Sequence, residues 1–184
     1  MKVESAHGVT VSFRLVEESD AEFILSLRLD PELGRYLNPT DPSVEKQRSW
    51  LLDYKKREAE GVEYYYIISV NKSGKRCGTV RLFIEEDYFE WGSIILNGDK
   101  TPTASIETML FIHQIGFEVL GFPKASFTTN KENARAIKLY SRIEARIVGE
   151  VETGMGSEHL YEMNLNDWGR FRDKFKPLLV KELR

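Results

Sequence analysis

The sequence predicts an α/β chain of the α+β type, built on a central mixed sheet of about seven strands with helices on its faces. Three observations lead there. Short runs with period-two alternation or dense aromatic and β-branched content recur along the chain, and helical runs separate several of them. The connections alternate between tight turns, which make hairpins, and helical crossovers, which make parallel pairs. The chain has 184 residues, 41% hydrophobic and 30% charged, which suits one domain spanning 1–184 around one sizeable core.

In order, Val9–Arg14 alternates apolar and polar residues and reads as a strand. Ser19-x-x-Glu22 has the spacing of a capping box and predicts a helix to about Leu29. Asp30–Thr40 is irregular, and Asp41-Pro42 predicts the start of a second helix running to about Glu60. Tyr64–Val70, Arg76–Phe83 and Tyr88–Leu96 read as strands, the first two joined by the Asn71-Lys72-Ser73-Gly74 turn. Pro102 to about Leu120 predicts a long apolar helix stopped at Gly121, with Thr101 as its N-cap. Lys124–Thr129 reads as a strand and Glu132–Ile143 as a helix. Arg146–Glu152 and His159–Leu165 read as strands around the Thr153–Ser157 turn, and Asp167–Leu183 as a closing amphipathic helix with Trp168, Phe171, Phe175 and Leu178 on one stripe.

Composition excludes several function classes. A net charge of −3 without Lys/Arg clusters lacks the footprint that a phosphate backbone requires, so no nucleic-acid partner is expected. Cys77 is the only cysteine and no Cys/His cluster exists, so neither an intramolecular disulfide nor a metal site is expected. Met1–Ser5 holds no signal-like apolar run and no stretch is long enough to span a bilayer, so the expected compartment is the cytoplasm, with no membrane partner.

Candidate chemistry falls between Phe89 and Ala145. At the predicted start of the long helix, the amides of Thr103, Ala104 and Ser105 lie in a first turn without intrahelical acceptors, where a phosphate could sit; the alternative is simply a capped helix. Asn130 and Asn133 fall at a strand-to-helix junction, where an amide side chain can cap the helix and also donate to a ligand carbonyl. Tyr140 lies two helical turns beyond Asn133 on nearly the same face. Either its phenol serves as a weak acid for a departing thiolate, or it packs in the core with its hydroxyl satisfied. His113 and Cys77 read as buried structural side chains.

The Asn133-x-x-Ala136-x-x-x-Tyr140 run, the Lys138–Arg142 stretch and the element order from Val9 to Leu165 resemble the GNAT superfamily of N-acetyltransferases. The resemblance implies a mostly antiparallel sheet whose fourth and fifth strands, Phe89–Leu96 and Lys124–Thr129, splay into a V-shaped cleft for acetyl-coenzyme A, the acetyl donor. Backbone groups near Ile94 and Leu96 would pair with the pantetheine arm. The loop Lys100, Thr101, Thr103, Ala104 and Ser105 would take the pyrophosphate, Asn130 and Asn133 would contact the coenzyme, and Tyr140 would face the thioester sulfur. Glu90 would be the base for the acceptor amine by the same resemblance, or else an exposed strand carboxylate among Glu85, Glu86 and Asp87. The family loop reads Q/R-x-x-G-x-G/A, and here Thr103 and Ser105 replace both glycines. Glu144 stands where the family has a glycine that often needs positive φ.

The acceptor site of such a fold would draw on Arg28, Arg35, Tyr36, Gln47, Trp50 and the Gly154–Gly156 loop, suited to an amino sugar, including a nucleotide-linked one. The alternatives are an N-terminal acetyltransferase of the ribosomal-protein type and a non-catalytic binding module of the same shape. The partners expected are a small-molecule amine and coenzyme A, and a homodimer is compatible with the resemblance.

Overall fold

The computed structural model describes residues 2–184; Met1, which begins the amino-terminal stretch read above, lies outside them. In chain order the elements are β1 (Ser5–His7), β2 (Val11–Leu15), α1 (Ala21–Arg28), α2 (Val44–Glu60), β3 (Glu63–Val70), β4 (Arg76–Ile84), β5 (Phe89–Leu96), α3 (Ala104–Gln114), β6 (Lys124–Asn130), α4 (Ala134–Arg142), β7 (Arg146–Thr153), β8 (Gly156–Asn164), α5 (Leu165–Lys174) and β9 (Glu182–Leu183). They form one nine-stranded sheet in the order β7-β8-β6-β5-β4-β3-β2-β1-β9. Every neighbouring pair is antiparallel except β5 with β6, the parallel pair joined through α3.

The seven strands predicted from sequence are β2 to β8; β1 and β9 add a short edge. The closing helix expected to reach Leu183 ends at Lys174. Pro177 cannot donate within a helix, and the chain passes through a 3₁₀ turn at Lys176–Leu178 before Arg184 exchanges backbone hydrogen bonds with Ser5 (2.9 and 3.1 Å). Helix starts also shift. The Ser19/Glu22 capping box does not form; instead the Asp20 carboxylate accepts from the Glu17 amide (2.8 Å) and α1 begins at Ala21. The second helix is capped by Ser43, while Asp41 turns back to accept from the Ser43 amide (3.0 Å). The helix expected from Glu132 starts at Ala134 under an Asn133 cap, and the strand expected from His159 already begins at Gly156.

Apolar faces explain the layering. On one side of the sheet Phe13, Tyr66, Leu82, Trp91 and Phe127 meet α3 and α5 in the main core. On the other, Tyr65 and Ile67 pack under α1 and α2 with Ile24, Leu51 and Tyr54. β3 is covered on both sides, so its residues are almost all buried and its sequence reads as continuous aromatic and β-branched material. At the end of α3 the helix widens into a π turn over Ile115–Val119, with the Leu120 amide reaching back to the Ile115 carbonyl (2.9 Å). Gly116 lies there directly on the Phe89 ring, where a Cβ would fall 2.2 Å from a ring carbon. His113 is fully buried, its Nδ1 donating to the Met109 carbonyl (2.7 Å). Cys77 is buried too, and burial pushes its thiol up to about 11, which suits a structural role. Glu144 adopts positive φ (67°) and offsets the strain with an ion pair to Lys174 (2.9 Å).

Candidate active site

β5 and β6 are the splayed pair. Only Phe89↔Ala125 and Glu90↔Ser126 are in register; beyond them the strands part, and β5 keeps only its partner β4. The β4–β5 ladder slips between Thr79 and Arg81, and Ser93 takes φ 49° at this irregularity, a left-handed conformation the sequence did not announce. Ile94 and Leu96 lie just beyond it on the stretch of β5 that faces the opening, with backbone groups on the β6 side left for an added extended chain.

The start of α3 differs from expectation. Thr101 does not cap the helix, which begins two residues after Pro102, at Ala104. A buried carboxylate accounts for this. Glu107 is fully buried and accepts from the Thr10 amide (2.9 Å), the Thr10 hydroxyl (2.5 Å) and the Thr103 hydroxyl (2.7 Å). Thr10 Oγ1 lies 2.6 Å from Thr101 Oγ1 and 3.0 Å from Thr103 Oγ1. Both threonine hydroxyls are thus turned inward, away from any phosphate. The Ala104 amide is also spent, on the Thr101 carbonyl (3.2 Å). The amides of Ser105 and Ile106 meet no acceptor among the described residues, so the first turn still presents two converging N–H groups. Lys100, exposed beside them, adds a cation. These groups fit a pyrophosphate, through Ser105 and Ile106 more than through Thr101 and Thr103.

At the other wall, Asn130 spends its side chain on structure. Its Nδ2 donates to the Met155 carbonyl (3.0 Å) and its Oδ1 accepts from the Glu132 amide (2.9 Å), tying β6 to the β7–β8 turn. Asn133 caps α4 through Oδ1, accepting from the Ala136 amide (3.1 Å), and its Nδ2 keeps its donors. Tyr140 is buried edge-on against Trp91, Phe127 and Tyr161, with centroids 5.1 to 5.3 Å apart. Burial raises the Tyr140 pKa well above the ordinary phenol value, Tyr161 and Glu158 push the same way and the Thr129 side chain opposes them, so the oxygen holds its proton.

Glu90 alternates with the buried Phe89 and Trp91, so it points to the α1/α2 side of the sheet while Tyr140 approaches from the α3 side. Burial lifts its pKa above the usual carboxylate range, with the negative charges of Glu85 and Glu158 adding to the effect. Glu158 was not singled out in the sequence. It lies on β8 opposite Asn130, is buried, and accepts from the Thr153 hydroxyl (3.2 Å). Two carboxylates therefore flank the splay on one face and a protonated phenol closes it on the other.

On the α1/α2 face is a pocket of about 370 Å³, lined by Arg28, Asp41, Lys46, Trp50, Tyr65 and Arg81 among others. Arg81 sits in register with Gly92, two residues along β5 from Glu90, and is fixed by Glu63, which its Nε meets at 2.8 Å. Of the predicted acceptor residues, Arg28, Gln47 and Trp50 line this pocket, though the Trp50 ring already carries the Arg57 and Arg81 guanidinium groups (5.2 and 4.9 Å). Arg35 and Tyr36 lie outside it. Arg35 is exposed over the Tyr36 ring, and the Tyr36 hydroxyl donates to the Glu132 carbonyl (3.1 Å), linking the α1–α2 loop to the start of α4. Among the described residues no group of three His, Cys, Asp or Glu side chains could hold a metal ion, and no helix is long and apolar enough to cross a membrane.

Comparison with known proteins agrees with this geometry. The acetyltransferase (GNAT) domain family matches residues 10–146. Among solved structures the chain is similar to apo FdhC, described as a nucleotide-linked sugar GNAT, with 31% identity and a TM-score of 0.83 over 95% of this chain and 98% of that one. It shares its fold with the ribosomal-protein-S5-alanine acetyltransferase from Vibrio fischeri (14% identity, TM-score 0.75, 89% and 98% covered). The same holds for spermidine N-acetyltransferase from Vibrio cholerae, solved with CoA and spermine (18% identity, TM-score 0.73, 86% and 98% covered). No curated protein matches at a significant level. With the domain match spanning most of its length, the chain belongs to the GNAT acetyltransferase family.

Proposed function

We propose that the chain is an N-acetyltransferase that uses acetyl-coenzyme A to acetylate the primary amine of an amino sugar carried on a nucleotide, by direct transfer in a ternary complex. The observation that carries the acceptor assignment is the 31% identity to a nucleotide-linked sugar GNAT over nearly the whole of both chains.

The residues divide the chemistry by face. Acetyl-coenzyme A would supply the acetyl group from the splay between β5 and β6. The Ser105 and Ile106 amides and Lys100 would hold its pyrophosphate, and the Asn133 Nδ2 would donate to its amide carbonyls. Glu90 Oε, with affinity for a proton raised by burial and by Glu158, would take the proton from the incoming ammonium on the α1/α2 side. Tyr140 Oη, held protonated in its aromatic cage, stores the proton a departing thiolate needs on the other side.

Isothermal titration with acetyl-coenzyme A, followed by an acceptor competition, tests both levels. Micromolar coenzyme binding and preferential acetylation of amino-sugar nucleotides over ribosomal-protein N-terminal peptides are the expected results. Absence of coenzyme binding would leave only a binding module, and preference for the peptides would replace the sugar with a protein N-terminus.

A further inference from the structure

The pocket on the α1/α2 face has an unbalanced set of polar groups. Arg81 is paired with Glu63, which also takes Arg57 (2.7 Å), and Lys46 is paired with Asp41, the carboxylate on the pocket wall (2.5 Å). Arg28 has no carboxylate partner among the described residues. Its Nε donates to the Thr40 hydroxyl (2.6 Å) and its Nη2 to the Asn38 carbonyl (3.1 Å), which fixes the guanidinium on the pocket wall while leaving other N–H groups without acceptors. Tyr65 supplies a second, independent signal. It is 1% exposed and lines the same pocket, yet its hydroxyl has no hydrogen-bond partner among the described residues. The neighbouring Thr79 hydroxyl donates to the Ser93 carbonyl (3.4 Å) and acts on the phenol oxygen without meeting hydrogen-bond geometry. Burial raises the Tyr65 pKa, with the Thr79 side chain and then the positive charges of Arg28 and Arg81 pulling against it, so the phenol stays a neutral donor.

A buried donor without an acceptor and a half-buried cation without an anion are each costly in isolation. Here they border one cavity and both are relieved by the same ligand, an oxyanion. A phosphate suits the wall better than a carboxylate, because it has more oxygens to share between the guanidinium and the phenol. The position also suits a substrate with two ends. Tyr65 pairs with Arg81 and Arg81 with Gly92, so the phenol's strand lies two strands, roughly 10 Å, across the sheet from β5, with Glu90 two residues, roughly 7 Å, further along that strand. A sugar ring together with its glycosyl phosphate is of the size that such a separation between phosphate and amine requires.

We propose that this pocket is a phosphate subsite with Arg28 as its receptor and the Tyr65 hydroxyl as a second donor, taking the diphosphate of a nucleoside-diphosphate sugar. The inference rests on the sugar-nucleotide reading given above and adds where that substrate is gripped.

The test is titration of uridine, thymidine and guanosine diphosphates into the full chain, with the matching nucleosides and inorganic pyrophosphate as controls. At least one diphosphate binds, and its nucleoside does not. Arg28→Gln weakens that binding roughly ten- to hundred-fold, as expected for charge-assisted hydrogen bonds, and Arg28→Lys recovers part of it. Tyr65→Phe, which removes only the unpartnered oxygen, weakens it roughly two- to ten-fold. Acetyl-coenzyme A affinity stays unchanged in all three variants. Equal diphosphate binding by the parent chain and both Arg28 variants would place the anion elsewhere. A parallel loss of coenzyme affinity would assign it to the coenzyme. If Arg28→Gln fails to fold, Arg28→Lys and Tyr65→Phe decide by the same criteria. If the parent chain binds no nucleoside diphosphate but acetylates a free amino sugar, the phosphate subsite falls while the acetyltransferase reading stands.

Discussion

His113 makes acid pH destabilise this protein by a calculable amount. Its ring lies among Phe89, Trp91, Phe117, Phe127, Trp168 and Phe171, with centroids 5.7 to 6.4 Å away. Nδ1 donates to the Met109 carbonyl, so Nε2 is the bare nitrogen, and it is buried without a partner among the described residues. Protonation would place a second N–H and a full charge there with no acceptor. Burial accordingly lowers the His113 pKa from 6.5 to about 4, the Met109 hydrogen bond resisting slightly. The folded pKa is below the unfolded one, so the unfolded chain binds more protons between these values and stability falls as pH drops through that window. Above pH 6.5 the effect is nearly absent; by pH 5 it reaches about 2 kcal/mol, and below pH 4 about 3 kcal/mol. Because acidic groups also titrate, the comparison must be differential. Urea unfolding of the parent chain and His113→Phe at pH 7 and pH 5 supplies it, since both share every other titrating group. The parent should lose about 2 kcal/mol more than the variant over that interval. An equal loss in the two proteins would mean that His113 titrates normally, and the picture of a sealed aromatic cage would be wrong.

Three further outcomes follow from the site and its supports. Tyr140→Phe keeps the ring packing against Trp91 and Phe127 and removes the proton, so coenzyme affinity should persist while turnover falls roughly 10²–10⁴-fold in a saturating steady-state assay; undiminished turnover would assign thiolate protonation to another group. Ser105→Asp places a carboxylate at the open amides of the α3 first turn without touching the Glu107 network, so acetyl-coenzyme A affinity by calorimetry should drop while the fold melts no earlier. Glu144→Gly relieves a Cβ held at φ 67° but gives up the Lys174 ion pair; it should therefore raise stability by about 1 kcal/mol in a Lys174→Ala background and by less in the parent.

The sequence exposes the fold wherever one face of an element is buried. The alternation of β2, the doubly covered run of β3 and the apolar α3 each follow from which sides of the sheet are packed, and all were readable as periodicity. Boundaries were less legible because they depend on partners distant in sequence. The expected Thr101 cap gave way because Thr10, 91 residues earlier, bonds its hydroxyl, and the buried Glu107 gathers the neighbouring threonines. The final helix stopped at Lys174 because Pro177 breaks it and the vacant edge of β1 pairs the last residues. Nothing local in Glu182-Leu183 announces a strand; two residues become one only through that edge.

The same division governs the site. Tyr140 and Asn133 were legible because their spacing lies within one helix and its cap. Glu158 and Tyr65 were not, because what distinguishes them arises only when strands meet. Glu158 reaches the splay through its register with Asn130 on β6. Tyr65 looks in sequence like one aromatic of a Tyr-Tyr-Tyr run, and only the packing of α1 and α2 onto β3 separates its unpartnered hydroxyl from that of Tyr66, which donates to the Val3 carbonyl (2.9 Å) on the opposite face. Arg28 was expected at the acceptor site from the resemblance, but its state emerges only on folding: a basic residue in the last turn of a helix usually serves the C-terminal carbonyls, whereas here the loop at Asn38–Thr40 holds it against a cavity whose lining carboxylate, Asp41, is paired with Lys46. Pattern therefore locates the donor side, where one strand–helix junction carries the geometry. The acceptor side is assembled from α1, α2, β3 and β4, so its specificity appears only when unpaired polar groups are counted across elements after folding.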